Sequence, residues 1–175
     1  MRLIFIRVFS FLALVGFIAS LFIHIASFFC FSTSDESILI LSVGIFVVIL
    51  PMQWLKSGKR QRWWKMLDIL PNWLVSMCGF VAIYAFFNFF IMMVLMESGY
   101  GEFRDGNYYL MSHNKIIREI TEQKFHWFNA YRTRLFSGHW MIFYIFAFAG
   151  LWFANHTAQH QPGTVTEDER RENVM

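Results

Sequence analysis

PNWLVSMCGFVAIYAFFNFFIMMVLM, residues 71–96, carries no Asp, Glu, Lys or Arg, and its most polar side chains are Asn72, Ser76 and Asn88. A helix rises 1.5 Å per residue, so about 20 apolar residues cross a hydrocarbon core roughly 30 Å thick. A charge-free run of this length predicts a transmembrane helix, with Pro71 at the start, where its missing N–H is least costly. Three similar runs flank it: 8–31, interrupted only by Ser10, Ser20, His24 and Ser27; 38–55, with Pro51 near its end; and 135–154. The expected fold class is an all-α integral membrane protein of four transmembrane helices, with a small outer β-hairpin before the fourth.

Composition agrees. Of 175 residues 57% are hydrophobic and 15% charged, against about a quarter charged in soluble proteins, and the mean hydropathy is +0.43. The net charge of +3 is spread between segments and forms no basic face, so nucleic acid is not an expected partner. Arg2 and Arg7 precede the first run as they would in a signal peptide. That run is longer than a signal core and the next begins six residues later, so it reads as a retained helix.

Lys and Arg in short loops set orientation. The connection 56–65 holds Lys56, Lys59, Arg60, Arg62 and Lys65 together with Trp63 and Trp64, whereas 32–37 holds Asp35, Glu36 and no base. Both termini are therefore expected in the cytoplasm, with 56–65 contacting anionic membrane lipids there. Arg132 and Arg134, beside the fourth run on the opposite side, run against this bias. Trp54, Trp63, Trp64, Trp73 and Trp152 would share one interface, and Tyr100, Trp127 and Trp140 the other.

Residues 97–134 are the expected outer insertion. Glu97–Gly101 and Arg104–Asn107 read as turns; Tyr108–Ser112 and Lys115–Ile120 read as strands around His113-Asn114, a hairpin. Thr121 reads as an N-cap with Glu122 in the first turn, opening a helix with no breaker before Gly138. Its stripe Phe125, Phe128, Tyr131, Arg132 and Leu135 predicts an amphipathic lead-in, lying at the outer interface or packing under the hairpin. The stretch 107–144, with Ser112-His-Asn-Lys115 and Phe136-Ser-Gly-His-Trp-Met141, resembles segments of small bacterial inner-membrane proteins. That likeness implies a setting and attaches no residue roles.

Candidate chemistry is sparse. His24 and His139 both fall in the outer half of the expected membrane, where imidazoles serve as interhelical hydrogen-bonding groups or ligate a haem iron or other metal. Asn72 and Asn88 are polar groups within a span, Asn88 near mid-membrane. His156 and His160 lie in the residues 155–175, expected to form a disordered cytoplasmic tail after a transmembrane domain of residues 1–154. Cys30 and Cys78 fall at different depths, too far apart for a disulfide, which excludes a thiol-oxidoreductase bundle. No acid lies inside any span, against a carboxylate-relay transporter. The expectation is a non-enzymatic accessory or assembly partner without a cofactor, working through its outer segment and basic loop with a protein partner or a second copy. The alternatives are a haem or metal protein using His24 and His139 and, after it, a small channel or transporter.

Overall fold

The computed structural model describes residues 2–56, 67–97 and 99–159. In chain order these form α1 (Arg2–Ala26), a 3-10 turn (Ser27–Phe29), α2 (Asp35–Lys56), α3 (Asn72–Leu95), β1 (Tyr100–Arg104), β2 (Asn107–Ser112), β3 (Lys115–Glu119) and α4 (Glu122–Gln159). All four helices are long and apolar enough to cross a membrane.

The charge-free runs mark these helices closely but not their ends. α1 begins at Arg2 rather than at residue 8, because Arg2 and Arg7 are good helix formers and end only the charge-free run, not the helical geometry. It passes at Ala26 into the 3-10 turn, which closes where Cys30 enters the left-handed region at φ 58°. α2 starts three residues early because Ser34 accepts a hydrogen bond from the Ser37 N–H, a side-chain cap for the first turn. α4 runs unbroken for 38 residues, so the lead-in and the fourth span are one helix. Thr121 caps it, accepting at Oγ1 from the Lys124 N–H. Residues 155–159, expected in the tail, continue the helix; the rest of that tail lies outside the described residues.

The expected hairpin is one half of a three-stranded antiparallel sheet in the order β1-β2-β3. Both of its two-residue turns have left-handed pairs, Asp105 and Gly106 at φ 52° and 84°, and His113 and Asn114 at φ 48° and 61°. That is the turn geometry which matches strand twist. The sequence reading missed β1 by taking Tyr100 and Gly101 as turn residues. Gly101 serves a close approach instead: a Cβ there would stand 2.9 Å from the Phe125 ring on α4. The lead-in stripe packs under the sheet, with Leu110, Ile120 and Phe128 buried against Tyr108, Phe125 and Tyr131. Tyr108 lies between the rings of Phe103 and Phe125, at 4.9 and 5.0 Å. Loss of solvent there, and then the Glu122 carboxylate, raise its phenol above the ordinary tyrosine value.

α4 is the axis of the bundle. Of its most apolar window 61% is buried, against 28%, 17% and 28% for α1, α2 and α3, so the other three helices pack chiefly on it and turn most of their surface outward. On α3 the buried residues are Leu74, Cys78, Val81, Ala85, Asn88 and Met92. Their alternating steps of four and three are the seam of a left-handed helix pair. On α1 the seam is Ile6, Ala13, Phe17, Ser20 and His24, continued by Ser27 in the 3-10 turn. Ala13, Gly16 and Ser20, whose spacing is too irregular for a dimer motif, lie on this internal face. A Cβ at Gly16 would enter the Tyr144 ring and one at Gly44 would meet its hydroxyl, so the two glycines let α1 and α2 close around one aromatic side chain. Tyr144 then donates to the Leu41 carbonyl at 2.8 Å.

Candidate functional site

α1 and α3 point toward the sheet at their C-termini, and α4 leads away from it. At this sheet end the polar members of three helices meet. His24 is 3% exposed, with Nδ1 2.8 Å from Ser137 Oγ on α4 and Nε2 2.5 Å from the Tyr84 hydroxyl on α3. Ser137 also donates to the Arg134 carbonyl at 3.2 Å. With the Ser137 proton used there, Nδ1–H donates to Ser137 and Nε2 accepts from Tyr84, the tautomer that satisfies every group. The two lone imidazole edges are thus spent on hydroxyls, and the ring ties three helices at one level.

The Arg134 carbonyl is a second node. Asn88 Nδ2 donates to it across the α3–α4 seam at 3.2 Å. Gly138 makes this approach possible, since a Cβ at that position would lie 2.7 Å from the same nitrogen. Beyond the carbonyl, the Arg134 side chain crosses to the end of α1: Nε donates to Ser27 Oγ at 3.3 Å, Nη2 to the Ser27 carbonyl at 3.0 Å, and the guanidinium carbon lies 3.8 Å from the Phe28 ring centroid. Ser27 in turn donates to the His24 carbonyl at 2.6 Å.

The two histidines paired in the sequence reading make separate contacts. His139 is hydrogen-bonded through Nδ1 to the Leu135 carbonyl of its own helix at 2.8 Å and meets the Phe89 ring edge-on, with centroids 5.3 Å apart. It takes no part in the His24 network. Among the described residues no group of three His, Cys, Asp or Glu side chains stands close enough to hold a metal, and both cysteines are free. Asn72 opens α3 at the opposite end and is exposed. Of the expected lipid-contact residues, Lys56 ends α2, its side chain outside the described residues, as are Lys59, Arg60, Arg62, Trp63, Trp64 and Lys65.

Sequence reading singled out His24 and Asn88 but not Tyr84, Ser27 or the role of Arg134. A signal was present: Ser27 follows His24 by three residues and Ser137 follows Arg134 by three, so each pair shares a helix face. The two bases that ran against the charge bias are both engaged. Arg132 pairs with Asp35 at 2.8 Å, and the adjacent Thr133 accepts from the Thr33 N–H at 3.1 Å. These bonds fasten the 30–34 connection to α4 beneath the sheet.

The His24, Asn88, Ser27 and Ser137 side chains of the cluster are all spent on partners within it. Among the described residues the one buried side-chain N or O atom without a hydrogen-bond partner is Asn155 Oδ1, near the far end of α4. A hydrogen-bonded knot of this kind fixes which helix faces meet and at what register. The chain matches no protein-family model, no curated protein and no solved structure.

Proposed function

We propose that this chain is a multi-pass protein of a bacterial inner membrane, with both termini in the cytoplasm, and that it acts by contact as a non-enzymatic accessory or assembly partner. Its sheet end faces outward and its basic connection 56–65 meets the cytoplasmic lipid surface. The observation that carries this reading is β3. Every residue of Lys115–Glu119 is exposed, with Ile116 at 53% and Ile117 at 51%, and its outer edge has no neighbouring strand among the described residues.

Unpaired strand edges invite another strand. The occupant is an extended segment of a partner protein added as a fourth strand, its backbone supplying affinity and the isoleucines a contact on one side. The intramembrane polar groups support the same reading by being consumed in helix contacts.

Placing a photo-crosslinking amino acid at Ile117, with the outward residue Ile83 of α3 as control, tests it in cells. The expected result is a discrete adduct from Ile117 alone that copurifies in mild detergent. Its mass separates a different protein from a second copy of this chain. A monodisperse monomer with no Ile117 adduct would overturn the proposal.

A further inference from the structure

We infer that Arg134 is a phosphate site at the sheet-end rim of the bundle, and that its ligand is the phosphodiester of a membrane phospholipid. The inference rests on the membrane placement proposed above, not on the partner strand.

Arg134 stands immediately before the charge-free run 135–154, at the boundary between the apolar bundle and the sheet. From there the side chain reaches Ser27 and Phe28, just past the last turn of α1 and toward the end at which the run 8–31 meets the headgroups. The side chain is half-buried. No Asp or Glu among the described residues pairs with it, whereas its neighbour Arg132 has Asp35 and Arg118 has Glu97 at 2.6 Å.

What holds the Arg134 guanidinium is neutral: one hydroxyl, one carbonyl and the faces of Phe28 and Tyr131. Those contacts use Nε and one bond from Nη2 and leave the remaining N–H donors of the fork without an acceptor among the described residues. The cation is therefore pre-oriented, with only the partial negative charge of the α1 C-terminus and no carboxylate among the described residues to offset it. A half-buried charge at a membrane boundary is costly without an anion, and a planar fork fixed in this way matches two phosphate oxygens.

The surroundings select a lipid over a free anion. Phe28, whose ring the guanidinium faces, is exposed, as are Phe29 and Phe31 next along the chain, Phe29 at 82%, and Phe22 and Ile25 on the outward face of α1. They offer acyl chains an apolar surface next to the guanidinium and down α1. An inorganic phosphate would use the guanidinium and gain nothing from those rings.

The test uses the full chain, purified in mild detergent and given an equimolar mixture of phosphatidylglycerol and an uncharged galactolipid, with bound lipid read by native mass spectrometry. The basic connection binds anionic lipid too, so Lys59→Gln/Arg60→Gln serves as the background. Replacing Arg134 by Gln in that background is expected to lower phosphatidylglycerol retention about tenfold, the loss of one charge-assisted hydrogen-bonded contact, with galactolipid unchanged. Retention equal to the background in a chain with unaltered far-UV circular dichroism overturns the site.

Should Arg134→Gln not fold, Arg134→Lys is read instead. It keeps the charge without the fork, and retention is expected to fall about threefold; no fall overturns the site. Displacement of the lipid by millimolar inorganic phosphate would overturn the lipid assignment in favour of the free anion. Membrane placement is checked separately by flotation of the wild-type chain with membranes, so its failure is distinguishable from failure at Arg134.

Discussion

The two ends of the helix bundle are held by different physics. At the sheet end, His24, Tyr84, Asn88, Arg134 and Ser137 join α1, α3 and α4 through directed hydrogen bonds. Toward the other end the contacts are apolar: Leu70, Leu74 and Cys78 pack with Phe148, Leu151 and Phe153, and Trp73 meets Trp152 edge-on at 6.4 Å. In a bilayer there is no hydrophobic gain when one helix replaces lipid beside another, so the apolar end depends chiefly on shape and dispersion, with the Tyr144 hydroxyl adding its bond to the Leu41 carbonyl. The polar end specifies which faces meet; the apolar end specifies how closely. Tyr144, seated between Gly16 and Gly44, is where the close approach begins.

The strongest way to break this division is at the shape-dependent side. Gly16→Leu drives a branched side chain into the Tyr144 ring. Relief requires either α1 to move off α4 or Tyr144 to leave the Leu41 carbonyl. Overpacking of this kind costs typically about 1–3 kcal/mol, and backbone on both sides of the ring places Gly16→Leu at about 3 kcal/mol. The measurement is the unfolding free energy in mixed micelles titrated with a denaturing detergent. A loss under about 1 kcal/mol would mean that close approach does not hold the apolar end.

His24→Phe tests the polar end. The ring volume is kept, while Ser137 and Tyr84 each lose a partner and α1 loses its direct hydrogen bond to α3. Interhelical hydrogen bonds in membranes average about 0.6 kcal/mol and reach about 1.7; two bonds through one ring give an expected loss of about 1.5 kcal/mol. A double-mutant cycle with Tyr84→Phe isolates the pair. Additive losses would show that the His24–Tyr84 bond does not couple the helices and that the polar end is packed like the other.

The same division explains what could be read from the sequence. Four charge-free runs located the helices, and Thr121 located the start of α4, because these signals are local. The packing face of α3 was hidden, since phenylalanine, isoleucine and methionine surround the whole helix. Asn88 alone marked it, and it does lie in the buried seam with Ala85 and Met92. The histidines were legible as costly groups but not in their pairing. His24 reaches Ser137 across 113 positions of sequence and His139 folds back on Leu135, a difference of rotation about two helix axes that no spacing rule carries. β1 was lost because Gly101 has the composition of a turn, whereas its cause is the Phe125 ring, distant in sequence.

Asn88→Leu is the smallest perturbation and the sharpest, because it converts one position of the polar end into the chemistry of the apolar end at similar volume. The Arg134 carbonyl loses the Asn88 amide but keeps the Ser137 hydroxyl and its own helical partner, so no buried acceptor is stranded. The expected loss is about 0.5 kcal/mol, near the average for a single interhelical bond in a membrane, and well below that of His24→Phe. Thermal unfolding of the two variants in the same detergent ranks them directly. If Asn88→Leu costs as much as His24→Phe, the Arg134 carbonyl rather than the imidazole is the centre of the network. The α3–α4 seam would then be held by that one bond, with the α1 link secondary to it.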